Sequence, residues 1–287
     1  MAAGEGAPGG GVKPFEYARP ESLDEALALM RRHGAGARLL AGGTDLVVRM
    51  RKGLSPPAVV IDLKGVAELR DDITTVDGGI RMGARAVMTD VISHPLVRQH
   101  FPALVEAAMV VGSVQIRNRA TLAGNLCNAS PAADTAPSLL AYGAALNLVS
   151  ETGTRQIPLD EFFTGPGRTV LSVGELVESI HVPLPTERTG ASFQRLTRRH
   201  GVDLAIVNVC CVVHASGDAR FAFGAVGPRP FLVTSRQDAP IEDALERARP
   251  ISDLRASSEY RAAMVCVLAR RALQTAVSRL CAGGERA

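Results

Sequence analysis

The run Arg38-Leu39-Leu40-Ala41-Gly42-Gly43-Thr44-Asp45-Leu46 constrains this chain more than any other stretch. A short apolar run ending on a glycine pair has the profile of a buried strand entering a tight turn. Leu46, Val47 and Met50 then lie on one helical face, and the stretch 53–57 breaks it. Upstream, Ser22-Leu-Asp-Glu25 has the form of a capping box that opens a helix, and His33-Gly34 ends that helix. Downstream, 58–63 reads as another strand. The first sixty residues are therefore expected to be a helix between strands, with a glycine turn at one strand's C-terminal end. Such a turn has two uses. It is either only a tight turn, or a cradle whose amides face an anion beside a helix N-terminus. The spacing excludes a Walker loop, because no Gly-Lys-Ser or Gly-Lys-Thr follows. Gly34-Ala-Gly36 precedes the strand, the wrong side for a Rossmann fingerprint.

Beyond residue 66 the texture changes. Gly78-Gly79 separates the alternating stretches 73–76 and 80–82, which predicts a hairpin. Helices are expected at 87–93 and 103–111, then a long irregular loop over 112–131. A helix at 137–142 and strands at 145–149 and 176–182 follow. The polar, proline-bearing stretch 183–190 reads as a domain linker. Strands are expected at 191–196, 205–214 and 220–226, and helix over 254–281. Long ordered loops are uncommon unless they perform something. The loop sequence Gln115-Ile-Arg117-Asn118-Arg-Ala-Thr121-Leu-Ala-Gly124-Asn125, continuing to Ser130-Pro131 and Asp134, mixes small residues with hydrogen-bonding ones. Thr121 and Asn125 can donate to a phosphate, and Asp134 can accept from a ribose or adenine group. Asn, Ser and Asp are equally ordinary turn formers, so both readings stand.

Composition narrows the class. Of 287 residues, 46% are apolar and 21% charged, and the formal net charge is only +3, too mild to imply nucleic acid or a membrane surface as partner. The first eleven residues hold five glycines and no apolar stretch, which predicts a flexible, cytoplasmic N-terminus without a secretory signal. The apolar run 205–213 is interrupted by Asn208 and is too short to span a bilayer. The five cysteines lack CxxC spacing and the histidines lack metal-site pairs, so no metal is expected and any redox centre must be organic. Cys210 and Cys211 are neighbours in an apolar strand, so their side chains are expected on opposite faces, in core packing.

Read together, AGGTDL, IDL at 61–63 and VQIRNRATLAGNLCNASPAAD resemble the FAD-binding middle subunit of the xanthine dehydrogenase and carbon monoxide dehydrogenase group. The likeness continues through FQRLTRRHGVDLAIVNV (193–209) and SDLRASSEYR (252–261) and covers about residues 12–275. It implies an α+β chain: a PCMH-type FAD-binding domain over 12–187, with subdomains of about 12–65 and 66–187, and a small α+β domain over 188–287. By the resemblance, Gly42, Gly43, Thr44 and Asp45 form the first pyrophosphate loop, with Arg38, Leu39, Leu40, Ala41 and Leu46 beside it. Thr121, Ala123, Gly124 and Asn125 match the second phosphate loop, Asp134 an acid beside the adenosine, and Arg195 a cation near the flavin. Ala123 stands where a second glycine is usual, and Arg195 replaces a lysine. Arg195, Arg198, Arg199 and His200 read equally well as a solvated or partner-facing patch.

The implied assembly has a molybdenum-cofactor large subunit and a [2Fe–2S] small subunit in a dimer of heterotrimers. Electrons would pass from the clusters to FAD and on to an external acceptor. A self-contained PCMH-type flavin oxidoreductase, or a flavin-free scaffold of the same fold, are the alternatives.

Overall fold

The computed structural model describes residues 12–54, 56–199 and 201–282, so the N-terminal stretch 1–11 and His200 lie outside the described residues. Strands β1 (Glu16–Ala18), β2 (Ala37–Leu40) and β3 (Val59–Asp62) form a parallel sheet in the order β1-β3-β2. Helix α1 (Leu23–His33) connects the first two strands. Its N-cap Ser22 accepts from the Glu25 amide, and Glu25 reaches past Ser22 to the amide of Glu21. Ala26, Leu27 and Met30 are its buried stripe. The glycine turn follows β2 and leads into α2 (Leu46–Arg51), as the local sequence predicts.

A five-stranded antiparallel sheet comes next. It comprises β4 (Ile73–Val76), β5 (Gly79–Gly83), β6 (Ala145–Ser150), β7 (Gly153–Pro158) and a later strand, Leu176–Pro183. Between β5 and β6 run α3 (Met88–Ser93), α4 (Pro95–His100), α5 (Pro102–Met109), α6 (Val114–Arg117), α7 (Leu122–Cys127) and α8 (Thr135–Ala141). The stretch 112–131 is thus not a uniform loop. Ser113 and Thr121 each cap a short helix with the side-chain oxygen, and turns this short carry too few residues to show a period. Every residue of α8 is buried, so it is a central helix rather than an amphipathic one. Helix α9 (Leu159–Phe162) and the small pair β8 (Phe163–Gly165) and β9 (Arg168–Thr169) precede β10, the Leu176–Pro183 strand. β10 pairs with both β5 and β6. It absorbs Pro183, so only 184–188 joins it to the next sheet.

The last sheet is antiparallel, in the order β11 (Thr189–Leu196), β12 (Val207–His214), β13 (Asp218–Gly224), β14 (Phe231–Arg236). Short α10 (Ile241–Leu245) and long α11 (Ser258–Ala282) complete the chain. α11 starts later than composition suggests, because 251–256 is held as a loop around Asp253.

Strand parity along β12 sorts its side chains between two cores. Cys210 and Val212 join the large core built around the first two sheets; Val209, Cys211 and Val213 face α11. The two cysteines are free and point opposite ways, as expected from adjacency in a strand. α11 buries Val265, Leu268, Ala269, Ala272 and Ala276 at helical spacing. Its small residues let β11 come so close that a Cβ on Gly190 would sit 1.9 Å from the Ala276 carbonyl oxygen. The architecture is α+β, as the sequence indicates; the described residues form one parallel sheet, two larger antiparallel ones and the small antiparallel β8–β9 pair.

Candidate functional site

The glycine turn, the α6–α7 region and the β11–β12 loop converge on a cleft of about 630 Å³. Gly42 has no positive φ, yet a Cβ there would lie 2.0 Å from the Arg119 carbonyl oxygen and 3.0 Å from the Ala120 Cα. The two loops that are separate in sequence are in backbone contact, and only glycine fits between them. Gly43 has φ +76°, a conformation that side chains other than glycine's resist, so the pair serves two distinct needs. The second loop is pinned from behind: Leu122 donates to the Ala86 carbonyl at 3.0 Å, and Met88 to the Ala120 carbonyl at 2.9 Å.

The floor of the cleft is rich in unused donors. Among the described residues, the amides of Gly42, Gly43, Thr44 and Asp45 have no protein acceptor. Thr121 Oγ1 accepts from the Gly124 amide at 3.0 Å, which leaves its hydroxyl proton free. Asn125 Oδ1 accepts from the Thr135 hydroxyl at 2.7 Å, so its Nδ2 is the end without a protein partner. Ala123 lies within α7 with negative φ, so the departure from glycine costs no strain at that position. Arg38 is tied to the Ala35 and Ala37 carbonyls, both at 2.7 Å, and lines the cleft beside Leu39. Asp45 lies at the start of α2; burial holds its carboxyl above the usual carboxylate range, against the nearby Arg49.

The far wall carries Asp134, which is 8% exposed. Its Oδ1 accepts from Asn208 Nδ2 at 2.9 Å and lies 3.3 Å from Arg195 Nε. Burial pushes the Asp134 carboxyl up to about 6, against the pull of Arg195 and Asn208. Arg195 also donates to the Val110 carbonyl at 3.1 Å and to the Asp203 carbonyl. The cation near the cleft is therefore committed to three walls at once. The other two described members of the basic cluster lie elsewhere: Arg198 bonds the Leu254 carbonyl, and Arg199 pairs with Asp203 in solvent.

Every site residue named from the sequence lines this cleft except Leu40, whose side chain packs beneath Gly43 instead. The structure adds Arg49, Ile116, Leu171 and Leu204, none of which the sequence reading singled out, and gives Asn208 a role behind the wall. Asn208 did carry a signal, as the polar interruption of an apolar strand. The aliphatic lining offered none, because Leu and Ile in a cleft read like Leu and Ile in a core. Among the described residues, no group of three or more His, Cys, Asp or Glu could hold a metal ion, and no helix is long and apolar enough to cross a membrane.

A parallel βα unit ending in a donor-lined glycine turn, faced by a second loop and closed by an antiparallel sheet, defines a dinucleotide-binding flavoprotein architecture. The chain belongs to the family of the FAD binding domain in molybdopterin dehydrogenase, whose model matches residues 13–185. It is 32% identical over 289 residues to the xanthine dehydrogenase FAD-binding subunit of Escherichia coli O157:H7, spanning 94% of this chain and 97% of that one. Identity is also 32%, over 282 residues, to the carbon monoxide dehydrogenase medium chain of Hydrogenophaga pseudoflava, covering 92% and 98%. Among solved structures, a cyanide-inactivated copper- and molybdenum-containing CO dehydrogenase matches with a TM-score of 0.87 at 29% identity, over 92% of this chain and 98% of that one. Family membership makes FAD the cofactor and the chain a component of an oxidoreductase.

Proposed function

We propose that the cleft is the FAD site, with the diphosphate over the 42–45 turn and the start of α7, and the adenosine end towards Asp134. The observation that carries this is the cluster of unused donors: four consecutive amides, the Thr121 hydroxyl and Asn125 Nδ2, all on residues that line one cleft. A diphosphate carries two negative charges and is held best by several fixed donors from a backbone that approaches closely. Arg38 and Arg49 add positive charge at the same wall. FAD would supply the two-electron and one-electron chemistry; this chain's residues bind it, orient it and keep Arg195 nearby as a fixed cation.

In this reading the chain is the flavin subunit of a molybdenum hydroxylase. It takes electrons from [2Fe–2S] clusters of a small subunit and passes them to an external acceptor, while a molybdenum-cofactor large subunit oxidises the substrate. The domains are 12–187, with subdomains of about 12–65 and 66–187, and 188–287. The complex is a cytoplasmic dimer of heterotrimers. The test is to tag the chain in its native host and analyse what co-purifies. Two further polypeptides carrying molybdenum and iron are expected; a flavoprotein isolated alone that oxidises a substrate unaided contradicts the assembly.

Asp134 makes binding depend on pH. An ionised carboxylate accepts from a cofactor hydroxyl more strongly than the protonated acid does, and in this chain Asp134 gains its proton near pH 6. FAD affinity should therefore fall about tenfold between pH 7 and pH 5. In the free chain the sign is opposite: a carboxyl raised above its unfolded value opposes folding at neutral pH, and that penalty fades as pH falls from about 7 towards 4. Fluorescence titrations of FAD across this range check the first effect, and Asp134→Asn should flatten it.

A further inference from the structure

Arg195 and Asn208 are direct cross-strand partners in the β11–β12 register. Both side chains project to the same face as Ala191, Phe193, Cys210 and Val212, the face that joins the large core. From there both reach the same atom, Oδ1 of Asp134. Asn208 also donates to the neighbouring Ala133 carbonyl at 3.3 Å. It is fully buried, and its Oδ1 fits only because Gly224 opposite has no Cβ, which would stand 2.1 Å away. The other carboxylate oxygen, Oδ2, accepts from no donor among the described residues, and Asp134 lines the cleft.

We propose that Asn208, with its cross-strand partner Arg195, is a positioning residue for the cofactor: it clamps Oδ1 of Asp134 from behind and thereby presents Oδ2 as the acceptor for a hydroxyl or amino group of the bound dinucleotide. This rests on the assignment of the cleft to FAD. A carboxylate held by one oxygen in a fixed plane can receive a ligand hydroxyl without first reorganising, and second-layer hydrogen bonds commonly supply that orientation. The clamp comes from the C-terminal sheet, whereas Asp134 itself precedes α8. The last hundred residues thus complete the cofactor site without touching the cofactor through Asn208. Around Asp134 the charged group is Arg195 from β11; Asn208 from β12 is neutral but donates.

The experiment measures FAD binding by the full chain against pH in the wild type, Asn208→Leu and Asn208→Asp. Leucine fills the same space without the donor; aspartate keeps size and adds a like charge beside Asp134. If Asn208 positions Asp134, the midpoint of the pH dependence moves up by about one pH unit in Asn208→Leu. It moves further in Asn208→Asp, and in the leucine variant affinity rises again at high pH but stays below the wild-type value, because Oδ2 is no longer held in place. A purely structural role would weaken binding by the same factor at every pH. A wild-type midpoint that Asp134→Asn abolishes but both Asn208 variants leave in place overturns the proposal and spares the FAD assignment. Failure of the wild type to bind FAD at all overturns that assignment instead. Should the leucine variant not fold, an unshifted midpoint in Asn208→Asp is sufficient to refute the clamp.

Discussion

Gly42→Ala is expected to cost the protein its FAD, and to do so more completely than Gly43→Ala. The added methyl group at 42 would stand 2.0 Å from the Arg119 carbonyl oxygen and 2.8 Å from the Arg119 carbonyl carbon, both backbone atoms of the opposing loop. Neither can swing aside as a side chain would, so the loops must separate. Overpacking of this kind costs about 1–3 kcal/mol, and if spent in parting the two loops it weakens FAD binding roughly ten- to hundredfold. At 43 the obstacle is different. The residue has φ +76°, which costs a non-glycine about 1–2 kcal/mol, but the nearest atom is the Leu40 Cδ1 at 2.8 Å, the mobile end of a side chain. The ordering of the two variants is therefore the informative result. Flavin-to-protein ratios after desalting, with equilibrium titrations for whatever still binds, measure it. Equal losses, or a greater loss at 43, would mean that turn conformation rather than loop-to-loop contact limits the site.

Arg261→Met should produce the largest loss of stability. The Arg261 side chain is 1% exposed. Its Nη1 donates to the Ile206 and Ala225 carbonyls at 2.8 and 3.0 Å, and its Nη2 reaches Asp253 Oδ1 at 2.6 Å. Methionine fills the space but leaves two buried carbonyls without donors and Asp253 short of a partner. Breaking a buried pair from one side typically costs about 3–5 kcal/mol, which should lower Tm by about 10 °C. Lysine should restore little, because one ammonium cannot span three acceptors in this geometry. Although burial opposes it, hydrogen bonds from Arg255 and Arg261 hold the Asp253 carboxyl well below the usual range. Its contribution is complete above the ordinary carboxylate value of about 4 and fades only as pH falls below it, so the difference between wild type and Arg261→Met should hold from neutral pH down to about 5 and narrow below about 4. Calorimetry at about pH 7.5, 5 and 3 checks both statements. A Tm within about 2 °C of wild type would show that the 252–261 segment is not a structural anchor.

What the sequence made legible follows from how locally each feature is encoded. The Ser22 cap, the 73–82 hairpin and the 42–43 turn each depend on residues a few positions apart, and each was readable. The cleft's polar residues were readable because Gly, Thr, Asn and Asp stand out against an apolar background. Helices α6 and α7 were not, since four to six residues give no period and their caps, Ser113 and Thr121, look like ordinary loop residues. Strand β7 was missed because only Ile157 of its six residues is buried, leaving no alternation to read. The need for glycine at 42 could be guessed but not explained: its cause is a carbonyl 77 positions further along the chain. The Arg195–Asn208 clamp was hidden for the same reason. Register between two strands decides it, and no local pattern states that residues 195 and 208 face each other.

The central claim, that this cleft holds FAD, is tested most directly by the visible spectrum of the purified chain mixed with FAD and then desalted, alongside Gly42→Ala. The account predicts two retained flavin bands at close to one FAD per chain in the wild type, largely lost in the variant. A wild-type chain that comes through colourless, both alone and co-expressed with the subunits that purify with it, would contradict it.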